Sequence, residues 1–460
     1  MSSGNRARRS SSRSRSGRRR RRRPVLKRRS NVPLVSVGLI ILAFGIGVFY
    51  LLYPRGSTFE VNQHWSGRSA SLIFDHHTHT SFSDGELTPE DLVALARDSG
   101  CDALVVSDHS DSARAANTEQ LKILNGLREN YPEMLLFAGL ELNMPSYGGR
   151  EHAGLVAGPS VDAATLQQLR DLAERRVPGA KNADVSAASD ARLLQMITDY
   201  QSLLGGLLLI YNHPSRKDAD ILENLSDITR WNSIAPVFSA IEGAPGHQNA
   251  PVIGSYEEPY LTEDHWDPVV ARVGGVWDQL WSQGHQIWGA LASSGYHNER
   301  LDQAPCAFSR THLIVPEQSY RGVIRALKTG TFWADHGRIL EQLWFSVNVD
   351  GLEGAAYPGS VVNVGARDSM AAVSLSIERG EGSAGQPLTV EIIGNCNSGE
   401  AEILAVLEIA PADSTVTTLV PLAATGLDGA SCSLRARVRL RRDSAPDYLA
   451  YTNPIRLILD

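Results

Sequence analysis

Leu72-Ile73-Phe74-Asp75-His76-His77-Thr78-His79-Thr80-Ser81-Phe82-Ser83-Asp84-Gly85 decides the fold, because an apolar run ends here in three histidines and two carboxylates. Residues two apart on extended backbone point to the same side, so His77 and His79 can aim their imidazoles at one point. Asp84-Gly85 then turns the chain. Such a cluster at the end of a buried strand suits a metal ion better than it suits a solvated loop.

Outward from this stretch, short β-rich runs alternate with helical segments between residues 71 and 338. The first helix has a well-marked start, with Thr88 as N-cap, Pro89 in the first turn, Glu90 and Asp91 near its positive end, and Gly100 beyond its close. Further apolar runs follow at 103–106, 135–138, 207–210, 237–241, 287–291 and 312–315. Runs of this kind with helices between them predict a parallel α/β architecture that closes as a barrel. Polar residues recur at the ends of the runs: His77 and His79, then Asp108-His109, Glu141, His213 and His297. The carboxyl ends of strands are where α/β barrels place their active sites. Any one of the chain's 13 histidines is a weak signal, but their placement as a set is informative.

Charge and hydropathy divide the rest of the chain. Residues 1–31 hold 14 of the 44 Lys+Arg and no acidic residue, which leaves 30 basic against 51 acidic residues, or −21, on the remainder. Val32 to Tyr53 is a charge-free stretch of 22 residues, about 33 Å long as a helix, and is expected to cross a bilayer once. The arginines before it place the amino terminus in the cytoplasm and the body outside. Arg28-Arg29-Ser30 loosely matches a twin-arginine export signal, and Tyr50 to Pro54 offers no small-x-small cleavage site, so an uncleaved anchor is expected. The Arg-rich tail fits anionic lipid, while the acidic body disfavours nucleic acid as a partner. None of the four cysteines, Cys101, Cys306, Cys396 and Cys432, lies in a CxxC pair; Cys396 and Cys432 either pair in an oxidising compartment or stand as two unpaired buried thiols.

Asp75-His76-His77-Thr78-His79 through Ser83-Asp84-Gly85, Val106-Ser107-Asp108-His109, Gly139-Leu140-Glu141, Asn212-His213-Pro214 and Tyr296-His297-Asn298 resemble the successive motifs of the PHP (polymerase and histidinol phosphatase) family of metal-dependent phosphoesterases. Over residues 71–338 the resemblance implies a distorted seven-stranded (β/α) barrel with two or three divalent metal ions. Carried over by position, His77, His79 and Glu141 would hold one metal, with Glu141 bridging to a second that takes His213 and, just past a strand end, His247. Asp84, His109 and His297 would hold a third, and Asp108 would orient His109. His152 is a ligand, a phosphate contact or a loop histidine. One departure stands out: the family's late Asp-x-His reads Gly295-Tyr296-His297 here, with Ser293 and Ser294 before it. Water or Asp302 would then complete the first site, or the centre would run with fewer metals, or catalysis would be lost.

Nitrogen and oxygen ligands without thiolate suit Zn, Mn or Fe. The implied activity is hydrolysis of a small phosphomonoester or phosphodiester, with Arg216 as a phosphate clamp. The alternative is a catalytically impaired PHP-like binding or sensing protein. Residues 339–460 predict a small all-β, sandwich-like domain, as some PHP-type proteins carry: strands at 343–349, 372–378, 388–393, 403–409, 434–441 and 455–459, with a turn at Asp350-Gly351. In Leu434 to Arg441 apolar residues alternate with arginines, which reads as a strand with one solvated face. The organisation expected is therefore a tail (1–31), a transmembrane helix (32–53), a linker (54–70), a barrel (71–338) and a β domain (339–460).

Overall fold

The computed structural model describes residues 70–459 apart from short segments at 145–150, 176–182, 218–220, 236, 247–253, 257, 259–261, 350–353, 365–368, 397–398 and 423–429. The tail, the expected span at 32–53, nearly all of the linker, His247 and the Asp350-Gly351 turn lie outside the described residues. Among the described residues no helix is long and apolar enough to cross a membrane.

The first half alternates strands and helices: β1 (Ala70–Asp75), α1 (Pro89–Asp98), β2 (Ala103–Val106), α2 (Thr118–Asn130), β3 (Leu135–Asn143), β4 (His152–Ala157), α3 (Ala163–Arg175), α4 (Ala183–Leu204), β5 (Leu207–Asn212), α5 (Ile221–Ile234), β6 (Phe238–Ile241), α6 (Pro268–Ala271), α7 (Val276–Ser282), β7 (Ser309–Val315), α8 (Tyr320–Thr329) and β8 (Phe332–His336). Local chemistry sets the helix ends. Thr88 accepts from the Asp91 amide at the start of α1, and Asn117 and Ser319 do the same for α2 and α8. Gly330 ends α8 at φ 69°, where an added Cβ would meet the Trp288 ring at 2.4 Å, so the position needs glycine on both counts.

Strand directions correct the parallel expectation. β1–β2, β2–β3 and β5–β6 are parallel, but β4, which lacks a clear apolar-run signal, is antiparallel to both β3 and β5, and β7 is antiparallel to β1. The expected strand at 287–291 makes isolated bridges instead of a ladder. Parallel bridges Ala240–Trp288, Ala244–Ala292 and Thr78–Tyr296 run it from β6 back to the end of β1. The curved sheet thereby brings its far edge to the residues just after β1. Its interior is packed by buried side chains such as Phe74, Val105, Phe137, Leu155, Leu209 and Ile241.

The second half is all β: β9 (Leu340–Val349), β10 (Val361–Val364), β11 (Ser369–Arg379), β12 (Leu388–Gly394), β13 (Glu402–Ile409), β14 (Thr415–Leu422), β15 (Ala430–Leu440), β16 (Tyr448–Thr452) and β17 (Ile455–Leu459). β14-β11-β9 form a separate three-stranded sheet, while β16 pairs with β8 and continues the large sheet through β15 to β17 and β10. Phe345, Val373, Val390, Ile392, Leu434 and Val438, from both sheets, share a second core. The period-two pattern of β15 holds, but its arginine face is not solvated. Arg435 is 2% exposed and forks onto Asp278 of α7 at 2.8 and 2.9 Å; Arg437 pairs with Glu391, and Arg439 with Asp264 and Asp447. A carboxylate waiting on the neighbouring element neutralises each guanidinium, which is what burial of a charge requires.

Both cysteine pairs are joined. Cys396–Cys432, left open by the sequence, is a disulfide, and Cys101–Cys306, a pairing the sequence did not suggest, is a second one across 205 positions. It ties the approach to β2 to the loop that follows His297.

Candidate metal centre

Extended backbone continues beyond Asp75, as the opening motif requires. The His79 amide donates to Tyr296 O at 2.8 Å and the Ser107 amide to Thr78 O at 2.9 Å, so Thr78 sits between two neighbouring segments. His77 and His79 therefore share a face, with their Nε2 atoms 3.0 Å apart. Asp75 accepts from the amides of His77 and Ser294, tying β1 to the 287–296 segment. A turn closed by Ser83 and Gly85 amides on Thr80 O swings Asp84 back, with Oδ1 3.3 Å from His79 Nδ1.

Asp108 secures that turn rather than His109. Its carboxylate accepts from the Thr80 amide at 2.8 Å and hydroxyl at 2.7 Å, and also from Ser83 Oγ and Gln120 Nε2. The expectation that it orients His109 fails because consecutive side chains on extended backbone leave in opposite directions.

Glu141, at the end of β3, is the hub. Its Oε1 lies 3.0 Å from both His77 Nε2 and His213 Nε2 and 3.3 Å from His152 Nδ1, while Oε2 lies 3.1 Å from His109 Nδ1 and 3.5 Å from His79 Nε2. Potential ligand atoms fall into three overlapping groups, each within 4.8 Å: His79, Asp84, His109 and His297; His77, Glu141 and His213; His109, Glu141 and His152. This grouping differs from the one carried over by position, since His79 joins the Asp84 group; His152, whose role the sequence left open, falls with His109 and Glu141. Arg216 sits at the edge, with Nη2 3.3 Å from His152 Nδ1 and Nε 3.4 Å from Glu151. Asp302 turns one oxygen to the amides of His297 and Asn298, and Gly295, at φ 53°, offers its carbonyl to His297 Nδ1 at 2.6 Å.

Electrostatics differ from ring to ring across the cluster. Burial alone would lower the pKa of His77, but Glu141 and Glu242 outweigh it and hold the ring well above its ordinary value. His79 goes the other way: burial first, then the neighbouring His297 and His109 rings, push it well below. Burial disfavours an ionised Glu141, yet His152, His77 and His109 keep it well below the usual carboxylate range. His152 is lowered to about 4, chiefly by burial. Two imidazole nitrogens 3.0 Å apart, both facing an ionised carboxylate, leave a place that a divalent cation satisfies better than a shared proton. The residues present fit such ions.

Two carboxylates escaped the sequence reading. Glu242, immediately after β6, and Glu151, immediately before β4, are fully buried and bond to His77 Nδ1 at 3.0 Å and His213 Nδ1 at 2.8 Å. The position of Glu242 at a strand end was a usable signal. Glu151 gave none beyond its neighbour His152. The open side of the cluster is set by exposure: Asp84, His109 and His297 side chains are 52%, 23% and 20% accessible, whereas His77, His79, Glu141 and His213 are buried.

Residues 75–224 match the PHP domain model, a match that takes in His77, His79, Asp84, His109, Glu141, Glu151, His152 and His213 and stops short of Glu242 and His297. An uncharacterized protein of Methanocaldococcus jannaschii is 26% identical over 159 residues, which is 34% of this chain and 64% of that protein's length. Among solved structures, a two-domain protein from Bacteroides vulgatus, named as containing a predicted PHP-like metal-dependent phosphoesterase, aligns with 85% of this chain and 96% of its own at 15% identity and a TM-score of 0.41. A protein from Bifidobacterium adolescentis named as a metal-dependent phosphoesterase aligns with 49% of this chain and 87% of its own, at 13% identity and a TM-score of 0.27. Scores this low give the two structural likenesses no weight.

Proposed function

We propose that the chain is a membrane-tethered, extracytoplasmic phosphoesterase that uses two or three divalent ions, Zn, Mn or Fe, to hydrolyse a small phosphomonoester or phosphodiester. The observation that carries this reading is the convergence of six histidines, His77, His79, His109, His152, His213 and His297, with Asp84 on the single carboxylate of Glu141 or its immediate neighbours. Bound divalent ions supply positive charge that polarises a phosphoryl oxygen and acidifies water towards a pKa of about 7.

The protein's own groups supply the rest. Glu141 and Asp84 furnish charged oxygen donors, and the imidazoles furnish neutral nitrogen donors. Substrate enters on the Asp84, His109 and His297 side, where accessibility is greatest. Arg216, a quarter exposed and braced on Glu151, presents a guanidinium suited to a phosphate oxygen beyond the ions. The acidic body favours a small ester over a long polyanion.

Two disulfides support an oxidising compartment, in keeping with a body held outside the membrane by residues 32–53. The Arg-rich tail would then rest on anionic lipid at the cytoplasmic face. A reporter fused after Asp460 should be active only outside the cytoplasm, and cytoplasmic activity would refute the anchor. The enzymatic reading is tested by assaying phosphomonoesters and diesters with the full-length chain and with His79→Ala. Turnover that disappears in the variant supports it; absence of any His79-dependent turnover in a metal-loaded chain favours the binding-protein alternative raised by Gly295.

A further inference from the structure

Behind the ligand-facing side of the cluster lie two buried carboxylates. Glu242 Oε1 lies 3.0 Å from His77 Nδ1, and the same oxygen receives the Ser293 hydroxyl. Its Oε2 accepts the His213 amide at 2.7 Å. Glu151 repeats the arrangement: Oε2 lies 2.8 Å from His213 Nδ1 and Oε1 accepts the Lys217 amide at 2.8 Å. His77 and His213 are the two rings whose Nε2 atoms stand 3.0 Å from Glu141 Oε1.

We infer that Glu242 and Glu151 are positioning residues, each accepting the Nδ1–H of one imidazole so that His77 and His213 present unprotonated Nε2 to a divalent cation at Glu141. The inference rests on the metal-dependent reading above and deepens it. An imidazole has two nitrogens, and the bond made by one decides which of them keeps the proton. With Nδ1–H committed to a carboxylate, Nε2 is the nitrogen that gives up its proton and offers its lone pair when a cation binds. The carboxylate also adds negative charge behind the ring and makes that lone pair a stronger donor. Glu242 does more than orient His77, because its second oxygen fixes the His213 backbone at φ 30°, a left-handed conformation that a side chain such as histidine seldom adopts. One residue after β6 thereby sets the ring of the β1 ligand and the backbone of the β5 ligand. Its hydroxyl donor, Ser293, comes from the segment that closes the sheet.

Glutamine is close to isosteric but has one acceptor oxygen where each glutamate uses two. In Glu242→Gln either His77 Nδ1–H or the His213 amide must face an NH2 group, and Glu151→Gln sets the same conflict between His213 and Lys217. The experiment is zinc binding by the full-length chain, measured by competition with a chromophoric chelator. Each single variant should bind zinc about 10- to 100-fold more weakly than wild type. In the zinc-loaded chain, proton NMR should show an exchange-protected imidazole N–H resonance for each of the two rings. Glu242→Gln should lose or shift the His77 resonance and Glu151→Gln the His213 resonance, which a merely structural role would not separate. Zinc affinities within twofold of wild type with both resonances retained would overturn the inference while leaving the hydrolase reading intact. A wild-type chain that takes up no zinc, manganese or iron would overturn both. Should Glu242→Gln fail to fold, Ser293→Ala decides for that residue: it removes one donor from Glu242 and should weaken zinc binding several-fold, and unchanged binding counts against the inference.

Discussion

His79 occupies the most contested point of the cluster, with its Nε2 3.0 Å from that of His77 and its ring stacked 4.1 Å from His297. Replacing it with alanine should remove a ligand and lower turnover by at least about 100-fold, an effect read in the hydrolysis assay. Arg216→Ala should act differently. A clamp on the substrate phosphate contributes to binding, so KM should rise about tenfold with a smaller change in kcat. A residue outside the centre reports on folding: burial first, then His265, lowers the His336 pKa to about 3. Its folded value lies below the unfolded 6.5, so its contribution is fully present above pH 6.5 and is lost as pH falls towards 3. Urea unfolding of wild type should lose about 1.4 kcal/mol per pH unit from this group in that window, and His336→Gln should flatten that part of the slope. At this scale the ligands were legible because histidine and acid types recur after apolar runs. Glu151 was not, since a carboxylate that serves through another residue carries no spacing of its own; Glu242 was overlooked although it directly follows the apolar run 237–241.

Elements show where periodicity stops being informative. The alternation in β15 correctly gave a strand with two unlike faces, but sequence alone could not reveal that α7 lies against the arginine face with Asp278 in place. A guanidinium stacked 4.7 Å from the Trp277 ring and forked by a carboxylate is satisfied without water. Asp278→Ala strands Arg435 and should cost about 3–5 kcal/mol, measured as a lowered Tm and a lower denaturation midpoint. β4 escaped notice because a fully buried strand with glycine inside it lacks the period-two signature. Its antiparallel pairing with β3 and β5 brings His152 to Glu141, across from Asn212 at the end of β5.

Across the whole molecule, the α/β part and the β-rich part were both foreseen, but their continuity was not. The expected boundary at 338/339 falls between β8 and β9, yet the large sheet crosses it through the β8–β16 ladder. Asn453 reinforces the join: Oδ1 accepts from the Gly289 and Ala290 amides, and Nδ2 donates to Gly330 O and Phe332 O. The segment that leads to His297 thus leans on a residue 163 positions beyond Ala290 by pairing that no local pattern announces. Ending the chain at residue 338 should expose both the edge of β8 and the backbone of 289–290, giving an insoluble product or one without cooperative unfolding. A soluble 71–338 fragment with a sharp melting transition would argue against this dependence. The account as a whole depends on ions occupying the space around Glu141. Elemental analysis of the full-length chain tests that claim most directly: it should find more than one divalent ion per wild-type chain and fewer in His79→Ala, whereas less than one ion per wild-type chain would contradict it.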